Sequence, residues 1–353
     1  MKRLVLAALA IGAMAACTKS NVQLEQSGEI SLHPVAQKAT KAAIDGTAYP
    51  TSESFNVWSW WGNYDAGTTL DEFKTDVTPY ISEGTFVNRN GNSWGGQTPY
   101  YWPTKGSLVF AGYSPATSKN MGKFEYLLAE KQFKVTDFVQ PNTIDSAVDL
   151  MWFDVTDKFY DQNGTNGGVP VVFKHALSWL TFKFNLASAT TDELWTITKV
   201  ELNGIEDKGN FTAKGGTSTW NGWLKSDNGK DVISLYNGSY LIKYNESASV
   251  LPGTDIVTEG SNVRTNAALV IPQSCAKDAA ELVITYNLQT SIENSVLTGQ
   301  TVSLPLTGTQ ITNNMWEPGK HYIYTITFGG NEILISPTVT DWTDVDVDNI
   351  PVQ

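Results

Sequence analysis

The chain has 353 residues, 41% of them hydrophobic, with 24 basic against 36 acidic side chains and a formal net charge of −12. That balance argues against a nucleic-acid partner: phosphate binding needs clustered Lys and Arg, and the only arginines are Arg3, Arg89 and Arg264. The apolar content over this length is enough to bury a core, and length alone suggests two domains.

The first predicted element is a secretion signal over residues 1–16. Lys2 and Arg3 give a positive start, Leu4 to Ala13 form an apolar run too short to span a bilayer, and Ala15 and Ala16 lead into Cys17. A cysteine directly after small residues resembles the lipobox of bacterial lipoproteins, with Met14 where Leu is commoner. The expectation is an acylated Cys17 held in outer-membrane lipid, since each buried methylene contributes about 0.8 kcal/mol and a multiply acylated cysteine supplies several chains. Removing residues 1–16 takes away Lys2 and Arg3 and no acid, so the charge moves from −12 to −14. With Cys17 acylated, Cys275 is the only remaining thiol, and no intramolecular disulfide can form.

Residues from Thr18 to about Ala39 contain no aromatic residue, whereas twelve Trp, fourteen Tyr and fourteen Phe crowd the rest of the chain. This stretch reads as a stalk. Within it Ile30, Leu32 and Val35 suggest a short extended piece able to pair with a sheet edge. From Phe55 onward the period is two. Phe55 and Val57 alternate with Asn56, Trp58 and Trp60, and Leu108 and Phe110 with Val109, Ala111 and Tyr113. The same period runs through Leu180, Phe182, Phe184 and Leu186, through Leu282, Ile284, Tyr286 and Leu288, and through Tyr322, Tyr324, Ile326 and Phe328. Such runs, punctuated by Gly, Asn, Asp and Pro, indicate an all-β sandwich or barrel protein. Thr69–Ile81 and Lys123–Phe133 are the two places where a short helix fits. The strongest punctuation, Asn163 to Gly168, sets the expected domain boundary, with domains over 42–168 and 169–353 behind a segment 17–41.

Five motifs then carry a family resemblance. They are Tyr100-Tyr-Trp-Pro running to Tyr113-Ser-Pro115, Phe173-Lys-His-Ala-Leu177, Ile271-Pro-Gln273, Gly319-Lys-His-Tyr-Ile-Tyr324, and Val339 to Trp342. In this order and behind a lipobox, they resemble the Bacteroidales fimbrillin-like (Mfa-like) proteins. The resemblance implies two tandem transthyretin-like (Greek-key) β-sandwich domains, and a surface-exposed lipoprotein serving as tip, stalk or anchor of an adhesive fimbrium. It further implies partners that are other fimbrial subunits or copies of the chain, together with host or bacterial surface ligands. Assembly would follow removal of an N-terminal strand by a protease and entry of a neighbour's strand. The removable strand lies in Gly28 to Lys41. The family often cuts after arginine, and this chain has none between Arg3 and Arg89, which leaves Lys38 and Lys41 as processing residues. The donor strand falls in Ile333 to Gln353, on Val345, Val347, Ile350 and Val352.

Chemistry-bearing clusters are sparse. His33, His175 and His321 are the only histidines, leaving few options for a triad or zinc site, and no nucleophile-elbow, zinc-protease or phosphate-cradling motif occurs. The expectation is therefore no catalytic residues, no enzyme activity, no cofactor and no metal, with His175 in a structural hydrogen bond. Asp341, Asp344, Asp346 and Asp348 lack calcium-loop spacing and read as the wet face of a strand. An alternative function is a surface glycan-binding lipoprotein feeding an outer-membrane nutrient transporter. Trp58, Trp60, Trp94 and Trp102 would form its platform for sugar rings; if those side chains are buried, that reading loses its support.

Overall fold

The computed structural model describes residues 28–36, 49–70, 77–141, 146–163, 168–188, 193–224, 232–242, 244, 256–258, 262–264, 267–276, 280–290, 296–329 and 332–341. Among these the secondary structure is strands with three short 3-10 turns and no α-helix. The first nine strands are Ser31–Ala36 (β1), Phe55–Gly62 (β2), Thr78–Asn88 (β3), Trp94–Gly96 (β4), Ser107–Ser114 (β5), Lys123–Leu127 (β6), Gln132–Val139 (β7), Met151–Phe153 (β8) and Val169–His175 (β9). Next come Ser178–Leu186 (β10), Glu193–Asn203 (β11), Lys208–Lys214 (β12), Thr217–Leu224 (β13), Val232–Leu241 (β14) and Ile256–Thr258 (β15). The last six are Asn262–Arg264 (β16), Ala267–Val270 (β17), Glu281–Thr290 (β18), Val296–Pro305 (β19), Lys320–Gly329 (β20) and Glu332–Asp341 (β21).

Seven strands close a barrel in the order β1-β4-β3-β2-β5-β8-β9, the last pairing back to the first. Its interior is filled by one face of each strand: Leu32, Phe55, Val57, Phe86, Trp94, Phe110 and Phe173 share one cluster. The opposite face of β2, β5 and β8 is also covered, by a four-stranded sheet in the order β13-β12-β7-β6. Trp60, Val109, Tyr113 and Trp152 meet Phe133, Phe138, Phe211 and Trp220 in that second layer. All eight residues of β5 are consequently buried, which explains why Leu108-Val-Phe-Ala111 is apolar without interruption. Asn56 is tolerated in this layer because its Nδ2 donates to the Tyr113 hydroxyl at 2.7 Å.

Eight of the remaining strands form two four-stranded sheets, β17-β10-β20-β21 and β14-β11-β18-β19, around one core, and among the described residues β15 and β16 pair with each other alone. Leu180, Phe182 and Phe184 face Trp195, Ile197, Leu282 and Ile284 there, with Tyr324, Ile326 and Phe328 beside them. This is a β-sandwich, as the period-two runs predict. On the other face of β10 and β17, Trp179 and Leu269 enter the second layer of the barrel, so the two parts share apolar contacts.

Three expectations are corrected. Lys123–Phe133 is not helical: β6 and β7 pair antiparallel around a 3-10 turn at Leu128–Glu130, and Lys131 at φ 46 turns the chain. The alternation of Phe124, Tyr126, Phe133 and Val135 against polar residues satisfies a half-buried sheet better than a helix face. Likewise Thr78 to Ile81 begins β3, with 71–76 outside the described residues. The division after residue 168 does not coincide with the sheets either. β9 pairs with β8 through Met151↔His175 and with β1 through Leu32↔Val169, so cutting there would open the barrel. The chain changes sheet at Ala176 and Leu177, both fully buried, and later returns to the first part as β12 and β13.

Candidate functional site

The structure gives β1 a distinctive place. It lies between β4 and β9, antiparallel to the first through Ser31↔Gly95 and Leu32↔Trp94. To the second it is parallel, in the register Leu32↔Val169 to Ala36↔Phe173. Just before it, the Ile30 amide donates to the Tyr100 carbonyl at 2.7 Å and the Trp102 amide to the Gly28 carbonyl at 3.1 Å. Ile30 and Leu32 are fully buried and Val35 nearly so, which makes the extended piece expected from these residues part of the barrel core. Burial of each such side chain contributes about 1.5–3 kcal/mol.

Polar contacts fix the start of this strand. Arg89 reaches Glu29 at 3.4 Å and donates to the Gly96 carbonyl. The Ser31 and Ser93 hydroxyls lie 2.5 Å apart, and the Gly28 amide donates to Gln162 Oε1. Across the groove Gly168 sits at φ +99, and a Cβ there would fall 3.0 Å from the Leu32 carbonyl carbon. Glycine is therefore required twice over, for conformation and for close approach. Sequence reasoning missed Arg89, Ser93, Gly168 and the pairing role of Tyr100 to Trp102. The aromatic run and the glycine ahead of Val169 were the available signals.

The tryptophan platform is not formed. Trp94 and Trp102 lie inside the barrel, Trp60 lies in the layer outside it, and Trp58 packs partly buried against that layer. Large rings gain more from filling these two apolar layers than from facing water, so the four side chains share no open face. The glycan-binding alternative loses the residues it was built on. Cys17, Lys38 and Lys41 lie outside the described residues, as do Val345, Val347, Ile350 and Val352 and the acidic run beyond Asp341. The C-terminal stretch 332–341 is β21, paired along its length with β20.

The other reactive groups are placed structurally. His175 Nδ1 lies 3.0 Å from Asp149, both buried. His321 stacks flat on Trp179 with ring centres 3.5 Å apart and shares a hydrogen bond with the Thr181 hydroxyl. Burial pushes it down to about 3, so it is neutral. Burial also pushes the Cys275 thiol up to about 11, and its Sγ lies against the Asn314 carbonyl, an inert setting. Gln273, in the Ile-Pro-Gln turn, accepts from the Glu206 amide and donates to the Glu206 and Ile271 carbonyls. Among the described residues no group of three His, Cys, Asp or Glu could hold a metal ion, and no helix is long and apolar enough to cross a membrane.

The closed barrel, its covering sheet and the appended sandwich define an all-β protein of stacked sheets. Residues 38–342 match the model of the fimbrillin-like family. The chain belongs to that family. A crystal structure of a fimbrial protein from Bacteroides vulgatus is similar to it at 16% identity and a TM-score of 0.56, covering 90% of this chain and 100% of that one. The tip fimbrial protein Mfa3 from Porphyromonas gingivalis, with a C-terminal truncation, matches at 12% identity and a TM-score of 0.34, over 89% of this chain and 98% of that one. No curated protein matches the chain.

Proposed function

We propose that this protein is a fimbrial subunit precursor, anchored in outer-membrane lipid through Cys17, exposed on the cell surface and serving adhesion. It joins other subunits, or copies of itself, by exchange of β1. One observation carries the reading: the strand that closes the barrel is the first among the described residues, so a single cut beyond Ala36 leaves its pairing with β4 and β9 to hydrogen bonds and burial alone. Its loss would strand the open edges of β4 and β9 and leave unfilled the places of Ile30, Leu32 and Val35. Both are costly in water, and an incoming strand repairs both by β-augmentation. Lys38 and Lys41 supply the processing residues. Val345, Val347, Ile350 and Val352, beyond β21, have the alternating character of a donor. The role is structural rather than enzymatic, in keeping with the family.

Three forms of the protein test this: intact, trimmed at Ala42, and trimmed with Thr343 to Gln353 deleted. Sizing under native conditions should find chains only for the second, because a head-to-tail contact that does not close builds a filament. A trimmed protein that stays a soluble monomer, or unfolds, overturns strand exchange.

A further inference from the structure

The barrel has no edges, whereas the sandwich has four. β14 lies against β17 on one side, which leaves β19 and β21 at the other side of their respective sheets. These two edges differ. β21 carries Pro337 in its middle, and proline has no N–H to offer an incoming strand. β19 reads Val-Leu-Thr-Gly-Gln-Thr-Val-Ser-Leu-Pro and contains no charged residue. In a protein with 36 acids and a net charge of −12, a ten-residue uncharged edge is where two copies meet least repulsion.

Its regular part is short and well defined. From Gln300 to Pro305 the pairing with β18 is unbroken, Tyr286↔Gln300 through Glu281↔Pro305. A bulge at Gly299, φ +65, ends the run, and the Gly299 amide donates to Asn287 Oδ1 at 2.9 Å. Among the described residues β19 pairs with β18 alone, so the backbone groups on its far side lack a strand partner. Laid antiparallel on itself about Val302, this segment is self-complementary. Val302 meets Val302, Thr301 meets Ser303, and Gln300 meets Leu304. The outer face then carries small hydroxyl pairs, which are favourable across strands. The inner face carries Gln300, Val302 and Leu304; Val302 and Leu304 already pack against the sandwich core, Val302 meets its own copy at the two-fold axis, and Gln300 covers Leu304 of the other copy.

We propose that the outer edge of β19 is a self-association surface, at which a second copy of this chain pairs antiparallel through Gln300 to Leu304. The contact is isologous and closes at a dimer, so it is distinct from head-to-tail strand exchange and stands or falls without it. Where exchange also occurs, it joins neighbouring fibres side by side.

Sedimentation of the full chain carrying Cys17→Ser, with three further variants made in that background, tests the surface. The parent should show a concentration-dependent dimer. Thr301→Lys with Ser303→Lys should weaken association roughly tenfold or more, by setting like charges opposite one another, and should leave the circular dichroism and melting temperature unchanged, since both side chains are exposed. Thr301→Cys with Ser303→Cys should cross-link two copies on mild oxidation, whereas Thr301→Cys alone should not, because the register sets residue 301 opposite 303. A parent that is monomeric at every concentration overturns the proposal. So does a dimer that survives the lysines with the fold intact, or a cysteine pair that fails to link.

Discussion

The barrel and the sandwich solve the same problem in opposite ways. In the barrel every strand has two neighbours, and closure depends on β1, whose register with β9 is parallel and whose partners lie some sixty to one hundred and forty residues away in sequence. In the sandwich two sheets share a core, and β19 and β21 stay at open edges. The parallel pairing of β10 with β20 repeats the relation of β1 to β9, yet β10 is covalently continuous on both sides with described strands. The barrel's integrity thus rests on the first described strand, while the sandwich's rests on aromatic packing that no single cut removes.

The largest expected effect is in the sandwich. Phe182 and Phe184 are both about 1% exposed, and truncating either to alanine should cost about 3–5 kcal/mol, read as a shift in the denaturation midpoint. A loss below about 1 kcal/mol at both would mean that their core relaxes freely and would break the contrast. In the barrel, Leu32→Ala should cost about 2–4 kcal/mol. Its signature should be local: amide exchange across β1 should accelerate while β20 stays protected, because opening is not uniform across a structure. Acceleration in both strands together would show a single cooperative unit and dissolve the contrast between the two parts.

Acid should act through His321. Its folded pKa of about 3 lies below the ordinary 6.5, so the unfolded chain binds this proton first. The neutral ring's contribution to stability is whole above pH 6.5 and is lost as pH falls from there toward about 3. His321→Gln should flatten that part of the stability profile. An unchanged slope between about pH 6.5 and 4 would assign the acid sensitivity to other groups. The smallest effects belong to positions outside the cores. Arg89→Ala should cost about 1 kcal/mol or less, because its ion pair with Glu29 is 41% exposed on both sides, and half-buried Lys183→Ala should stay within about 0.5 kcal/mol.

Much of this is legible in the sequence. The runs around Phe55, Leu108, Phe182, Ile284 and Tyr324 are strands with the expected faces, because period-two burial is a local property of a pleated chain. Ile30, Leu32 and Val35 read as an extended piece for the same reason. The motif His175-Ala-Leu177 turns out to be where the chain leaves the barrel for the sandwich, and Gln273 is the lock on the turn at residues 271–273. The setting of the tryptophans is not legible. A ring at the rim of a strand looks alike in sequence whether a second sheet covers it or water does, and here β6, β7, β12 and β13 cover it.

By itself the sequence determined the strand periodicity, the apolar faces, the scarcity of thiols, with two cysteines in all, and the acidic balance, since each depends on residue type and spacing alone. Only the tertiary structure decided that β9 belongs with β1 and β8, that β12 and β13 return to the first part, and that β1 closes a barrel. Those outcomes depend on which edges meet across long separations in the chain. That choice is made by the burial of whole faces against one another and not by any local preference.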